Sequence, residues 1–466
     1  MNKKLEVTNP GNGEVLAVLD LLSAEEVKEV VDKAYNARAL WRDTPLHKRA
    51  DIIFKFCEIF EKEYIPEVSD LLVKEMGKPI TMAKEECEES IDVAKAGVQR
   101  ALHLYSDALT QNAPGLENDL VVTKREPLGV AACIIPFNFP IELTIQKIIP
   151  ALIMGNPVIV KAPSSNPMSV LKLREIFDKA GMPAEVAQFI VCARDVSTQE
   201  IIKSPKVAAV TLTGSTRAGI DVYRNSADTL KTVMLELGGN DALIIFEDAD
   251  LDKAVEELFL GRIFNNGQVC CATKRVLVSN KVKDAFVEKL IASMANYKVG
   301  DATDPETVIS TLVTEKAAID VEKYINHTIE QGAKCVYGGK RIGATILPTI
   351  LTDVTKDMDV AKDMEIFGPV IPVIGFDTEE EAIAIANQSS YGLSSGVMTA
   401  DMQRAFRVGG QLEAGGCVLN GTGHYRHYDQ AFGGFKNSGV GREGTSTSLE
   451  EFSQLKTYII KNAFSK

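Results

Sequence analysis

The stretch Val130-Ala131-Ala132-Cys133-Ile134-Ile135-Pro136-Phe137-Asn138-Phe139-Pro140 decides how this chain is read. An unbroken apolar run, without polar alternation, predicts a strand buried on both faces, and such strands belong to mostly parallel sheets flanked by helices. Two prolines then stiffen a turn and place Asn138 at the strand's carboxyl end. Short runs rich in Val and Ile recur at residues 158–160, 189–191, 207–212 and 233–237, separated by helical stretches and closed by Gly or Pro. The pattern predicts an open α/β sheet, and such sheets bind ligands at the carboxyl ends of their strands.

Outward from this core, residues 23–110 read as helix after helix. Ser23 is placed to cap a run over residues 25–39, and apolar residues recur at helical spacing through Ile52, Phe56 and Ile59. A second α/β pattern follows Gly238-Gly239, with strands predicted at 242–246 and 275–278 and a helix over 250–264 between them. Residues 120–125 and 457–461 are β-prone but stand apart from both sheets, as a small interchain sheet or as ordinary edge strands would.

The chain has 466 residues, enough for roughly three domains. Its 51 basic and 64 acidic residues give a formal net charge of -13, which argues against a polyanionic partner such as nucleic acid. No apolar run is long enough to cross a bilayer, and residues 1–6 are charged where a signal core would be apolar, so a cytoplasmic location is expected, with no membrane partner. Cys57, Cys87, Cys133, Cys192, Cys270, Cys271, Cys335 and Cys417 form no CxxC pair, so neither a disulfide framework nor a zinc site is expected.

Three segments carry chemistry. Phe264-Asn265-Asn266-Gly267-Gln268-Val269-Cys270-Cys271 is a glycine-containing loop between helix and strand that bears a thiol. A thiol reacts as thiolate and needs activation, and an adjacent cysteine pair taken alone is more often packing than catalysis. In Leu235-Glu236-Leu237-Gly238-Gly239 a carboxyl interrupts an apolar strand, where burial penalises its charge unless it is used or paired. Glu236 is therefore a candidate general base, or else half of a structural ion pair. Asn138 can offer an amide to an oxyanion, or be only a turn residue.

Together these segments resemble the aldehyde dehydrogenase superfamily over essentially the whole chain. The resemblance also rests on Lys161-Ala162-Pro163-Ser164, Thr213-Gly214-Ser215-Thr216-Arg217-Ala218-Gly219, Glu365-Ile366-Phe367-Gly368-Pro369 and residues 433–441, all in the family's order. The family's spacing of 34 positions between base and nucleophile, here 236 to 270, is kept. The resemblance implies an α/β fold with a Rossmann-type cofactor domain (1–118 and 128–237), an α/β catalytic domain (238–440) and small oligomerisation strands (119–127 and 452–466). A homodimer or homotetramer is implied with it.

By the same resemblance Cys270 is the nucleophile and Cys271 its neighbour. Asn138 and the Cys270 N–H hold the oxyanion, and Glu236 activates the water that hydrolyses the thioester. Cofactor contacts fall to Pro136, Phe137, Lys161, Ser164, Gly214, Ser215 and Leu237, with Glu365 and Phe367 at the nicotinamide end. The loop 214–219 is not the usual GxGxxG fingerprint. Ser164 stands where NAD-using relatives often carry Glu, which removes a charge that would repel a 2'-phosphate. NADP is therefore expected ahead of NAD.

The family lines its substrate entrance near residues 424–430, where Arg426 is placed to bind an anionic group or to pair with Asp429. The neighbourhood resembles relatives acting on lactaldehyde, glyceraldehyde 3-phosphate or succinate semialdehyde, and His424, His427 and Asp429 are not expected to bind metal. Three alternatives are a CoA-acylating dehydrogenase, disfavoured by Glu236, a thiol hydrolase without nicotinamide, and a non-catalytic cofactor-binding protein. Replacing Cys270 with Ala is expected to abolish turnover and leave the fold intact; a variant that still oxidises aldehydes at near-native rate would overturn the nucleophile assignment.

Overall fold

The computed structural model describes residues 3–104, 106–109 and 113–464. Residues 1–2, 105, 110–112 and 465–466, which the ranges outlined above include, lie outside the described residues.

Five of the predicted strands form one sheet. In spatial order it runs Gly439–Val440, Thr232–Glu236, Val207–Thr213, Val130–Ile134, Val158–Lys161 and Ala187–Ile190, parallel throughout except for the antiparallel Gly439–Val440. The chain builds outward from Val130–Ile134 in one direction, then returns to its other side. Loops after Val130–Ile134 and Val207–Thr213 therefore diverge and open a crevice, as in dinucleotide-binding sheets. Buried faces on both sides explain the unbroken apolar sequences.

Helices Ala24–Asp43, Leu46–Ile59, Ile65–Met76 and Ile80–Leu102 cover this sheet together with Pro140–Ile153 and Met168–Ala180. Ser23 caps the first in a reciprocal box with Glu26. The helical reading of 23–110 stops at Leu102. Ala108–Leu109 is instead a short strand beside Leu120–Pro127, and a hairpin of Lys4–Thr8 with Val15–Asp20 was not anticipated.

The second sheet has seven strands in the order Lys334–Tyr337, Thr349–Val354, Val370–Phe376, Thr273–Ser279, Asp241–Ile245, Ser395–Met398 and Val418–Leu419. Between Asp241–Ile245 and Thr273–Ser279 the single helix expected over 250–264 breaks into three pieces: α-helix Leu251–Leu258, π-helix Phe259–Ile263 and the turn Phe264–Gly267. Asn265, Asn266 and Gly267 all take positive φ, of 50°, 56° and 72°, which no helix can continue through. Leu120–Pro127 and Ser453–Ile460 pair antiparallel with each other within the chain.

Phe56 is fully buried in the first core and stacks on Phe177 with ring centroids 3.9 Å apart. Phe56→Ala is expected to destabilise the protein by about 3–5 kcal/mol, read as a lower urea midpoint. A midpoint shift no larger than that of a surface substitution, about 0.5 kcal/mol, would contradict this placement of the core.

Candidate active site

Backbone register brings the two reactive segments together. Strand Thr232–Glu236 ends the first sheet, and Asp241–Ile245 begins in the second after a short link through Gly238 and Gly239. Asp241 pairs with Thr273, so residues 237–240 run beside residues 270–272. The link has no room for side chains: a Cβ on Gly239 would stand 3.0 Å from the Cys270 carbonyl, and one on Gly238 2.5 Å from Glu365 Oε2. Asn138, Glu236 and Cys270 all line one cavity of about 300 Å³.

Asn138 is held from both ends. Its Nδ2 donates to Gln268 O at 3.0 Å, while its own carbonyl accepts from Asn265 Nδ2 at 2.9 Å and from Lys78 Nζ at 2.9 Å. Lys78 is fully buried, paired with Glu86, and lies 4.0 Å from the Phe139 ring centroid. Glu86 also accepts the N–H groups of Ile141 and Glu142 at the start of Pro140–Ile153, which joins the Asn138 turn to that helix. Asn266 ties the Cys270 loop to Ser310 and Thr311.

Glu236 is 3% exposed, and neither carboxylate oxygen has a hydrogen-bond partner among the described residues. Burial and then the charge of Glu443 push its carboxyl up to about 8, against the opposing pull of the facing Cys270 thiol and of Lys147. Lys147 and Glu443 are themselves a buried ion pair joining residues 296 positions apart. The neighbouring Cys271 thiol, burial and the Glu236 charge raise the Cys270 thiol, whereas Cys270 and Arg426 hold the Cys271 thiol down.

The expected cofactor residues gather at the carboxyl ends of the first sheet. Ile134, which leads to Pro136 and Phe137, is level with Lys161 on one side and Leu212 on the other, and Thr213 is level with Glu236 before Leu237. Ser215 caps helix Thr216–Ser226, and Gly219 lets that helix close on Leu237, whose Cδ2 would be 2.5 Å from a Cβ. The Gly214 N–H is taken by Glu236 O at 3.0 Å, so it fixes the strand end and is not free for an anion. Ser164 is exposed. Glu365 crosses from the second sheet to accept from Gly239 N at 3.2 Å, and Phe367 meets Phe137 edge-on at 5.8 Å.

Arg426 lines the cavity but does not pair with Asp429. It donates to Cys271 Sγ at 3.0 Å and to the carbonyls of Gly423 and Tyr425, and lies over the Phe432 ring. Asp429 accepts instead from Thr445 and Ser446. Glu85, Glu89, Glu142 and Glu257 share the cavity wall. Burial, followed by the charges of Glu89 and Glu86, raises the Glu142 carboxyl to about 8. Lys78, Glu86, Lys147, Lys274 and Glu443 escaped the reading of the sequence. Their signal was faint: Lys147 shares its helix with Glu142 and Gln146, and its partner Glu443 lies 296 positions away.

The chain belongs to the aldehyde dehydrogenase family, whose model matches residues 1–458. It is 36% identical to a lactaldehyde dehydrogenase of Methanococcus aeolicus over 98% of this chain and 97% of that one. It is also 36% identical to an NADP(+) succinate-semialdehyde dehydrogenase of Escherichia coli, over 98% and 94%. Among solved structures, a glyceraldehyde-3-phosphate dehydrogenase of Methanocaldococcus jannaschii complexed with NADP superposes with a TM-score of 0.94 at 34% identity, over 99% and 100% of the two chains. No helix among the described residues is long and apolar enough to cross a membrane.

A carboxyl raised to about 8 keeps its proton below that pH and is a base only above it. If Glu236 drives hydrolysis, the hydrolytic half-reaction rises about tenfold per pH unit below that value and then levels off. Glu443→Gln removes a repelling charge, so the rising limb is expected to move to lower pH in a pH–rate profile; a limb that stays put or moves upward would break the link between Glu443 and Glu236.

Proposed function

We propose that this chain oxidises a small aldehyde to the carboxylic acid through a thioester on Cys270, with NADP used ahead of NAD. The observation that carries the reading is the unpartnered, buried Glu236 carboxyl in the same cavity as Cys270 and Asn138. A carboxyl so placed has no structural use for its charge, and it has a thiol or a water to act on.

The Cys270 sulfur, once deprotonated, bonds to the aldehyde carbon, and the carbonyl oxygen becomes an oxyanion facing Asn138 Nδ2 and the Cys270 N–H. A bound nicotinamide supplies the two-electron acceptor. Collapse of the oxyanion expels hydride and leaves a thioester. Glu236 takes a proton from water, the hydroxide adds to the thioester carbon, and the C–S bond breaks to release the acid. Water and hydride acceptor are consumed once each.

The residues present suit a dinucleotide. Lys161 and Ser164 follow the strand on one side of Val130–Ile134 and Ser215 the strand on its other side, while Glu365 and Phe367 reach Gly239 and Phe137. No carboxylate stands at Ser164 to repel a 2'-phosphate, and relatives are named for or crystallised with NADP. The division of labour follows the sheets: residues 1–118 and 128–237 hold the cofactor, 238–440 carry the nucleophile, and 119–127 with 452–466 serve assembly into a cytoplasmic homodimer or homotetramer. The exposed apolar Leu455, Ile459 and Ile460 support that last role.

For the substrate, Arg426 favours a hydroxylated or singly anionic aldehyde, in line with the named relatives. A phosphorylated one is disfavoured, because Glu85 and Glu89 share the wall and would repel a dianion.

Absorbance at 340 nm, with neutral, carboxylated and phosphorylated aldehydes and no CoA, tests the whole reading. Reduction of NADP is expected, with an efficiency about tenfold above NAD, or about 1.4 kcal/mol. A requirement for CoA would replace water as the acyl acceptor, and a strong NAD preference would refute the cofactor assignment. Arg426→Gln should raise KM for a carboxylated aldehyde and spare a neutral one; equal effects on both would sink the anion reading.

A further inference from the structure

Lys274 is 1% exposed, at the start of strand Thr273–Ser279, and no part of the reading above uses it. Its ammonium donates to Val269 O at 3.0 Å and to Cys270 O, and pairs with Glu365 Oε1 at 3.2 Å. The Phe367 ring centroid lies 5.7 Å away. A buried ammonium has three donors to satisfy, and here two go to consecutive carbonyls of the nucleophile loop and one to a carboxylate.

The Val269 carbonyl and the Cys270 N–H belong to one planar trans peptide, so they point in opposite directions. Anchoring the carbonyl on Lys274 turns the N–H the other way. That N–H has no acceptor among the described residues, although Val269, Cys270 and Asn138 all border the substrate cavity. The Cys270 carbonyl is gripped on a second side by the Gly239 backbone, where a Cβ would stand only 3.0 Å away. Gln268, one residue earlier, is held by Asn138 Nδ2 and Val313 N, and Ala272 N donates to Val269 O at 3.2 Å, but among the described residues only Lys274 donates to the Cys270 carbonyl.

We infer that Lys274 is a positioning residue which, by holding the Val269 and Cys270 carbonyls, aims the Cys270 N–H at the oxyanion formed on the substrate. Glu365 supplies its countercharge and ties the nucleophile loop to the residue expected at the cofactor. The inference rests on Cys270 being the nucleophile. A neutral side chain at 274 leaves the loop's hydrogen bonds unmade and lets the 269–270 peptide rotate. The oxyanion then loses one of two donors, while aldehyde binding, which precedes oxyanion formation, changes little.

The test is rapid mixing of full-length Lys274→Met, Lys274→Gln and Lys274→Arg variants with NADP and the best aldehyde of the panel, following the first turnover at 340 nm. Lys274→Met is expected to slow the hydride burst by roughly 10- to 100-fold with KM close to the parent. Lys274→Arg, whose guanidinium can reach the same carbonyls, should recover much of the rate. Alkylation of Cys270 by iodoacetamide and NADP binding by fluorescence report whether the loop and fold survive, and both should match the parent.

A burst at the parent rate in Lys274→Met overturns the inference. So does a slowed burst accompanied by lost cofactor binding and altered alkylation, which marks a merely structural lysine. If the Met variant does not fold, Lys274→Gln is read by the same criteria. Turnover retained by Cys270→Ala would instead defeat the underlying reading, whatever Lys274 does.

Discussion

The site is organised around a carboxyl that the fold buries without a hydrogen bond. Placing Glu236 at the last position of an inner strand removes it from water, and an unpaired buried charge is several kcal/mol too unfavourable to persist. Two features make the position tolerable. Its carboxyl is raised to about 8, so near neutral pH it is largely uncharged. Lys147, held by Glu443 behind it, offsets part of the penalty when the proton leaves. The backbone around it is then constrained in turn: Gly214 N–H and Leu237 N–H are both spent on holding the strand's end, to Glu236 O and Ser438 O. Loss of that rigidity would let the carboxyl swing toward solvent and recover its ordinary acidity.

The partner groups are fixed by charges used in an unusual way. Lys78 and Lys274 are both buried, and both direct their ammonium groups to main-chain carbonyls as well as to a glutamate. A buried ion pair contributes little net stability, because desolvation offsets most of the Coulomb attraction. Its value here is directional. Each lysine holds a carbonyl within one residue of a donor that the proposed chemistry needs, Asn138 in one case and the Cys270 N–H in the other. Neutral residues of similar size would pack equally well and leave those peptides free to turn.

Much of this arrangement was legible in the sequence, where local patterning decides it. Apolar runs with abrupt Gly or Pro ends marked the strands of the first sheet, and residues at those ends, from Pro136 to Leu237, fall along one edge. The three-part break at 251–267 was not legible as such, since the apolar spacing continues through it and the positive φ of Asn265 and Asn266 depends on bonds to Asn138, Ser310 and Thr311. Nor were Lys147 with Glu443, or Lys78 with the Asn138 carbonyl. Their pairings span 296 and 60 positions, and nothing in a linear pattern distinguishes a buried lysine from a snorkelling one until its partner is in place.

Arg426 shows the same limit from the other side. The sequence offered Asp429 as its partner within the chain, and its contacts are instead a thiol, two carbonyls and an aromatic face. Two carbonyls and a ring engage the guanidinium without supplying a negative charge, whereas the Cys271 thiol, whose ionised form it favours, offsets part of it. The carboxylates that could do so, Glu85, Glu89 and Glu142, border the same cavity without a salt bridge to it, and Glu142 is itself raised to about 8. A monoanionic group entering the cavity therefore meets one cation at close range and a more diffuse negative field behind it. Attraction to Arg426 falls off steeply with distance in a partly wet site, so a short chain that reaches the guanidinium gains from it; for a doubly charged group attraction and repulsion both double, but the cost of desolvation rises about as the square of the charge. Charge placement in the cavity thus discriminates by the number of charges as well as by their sign.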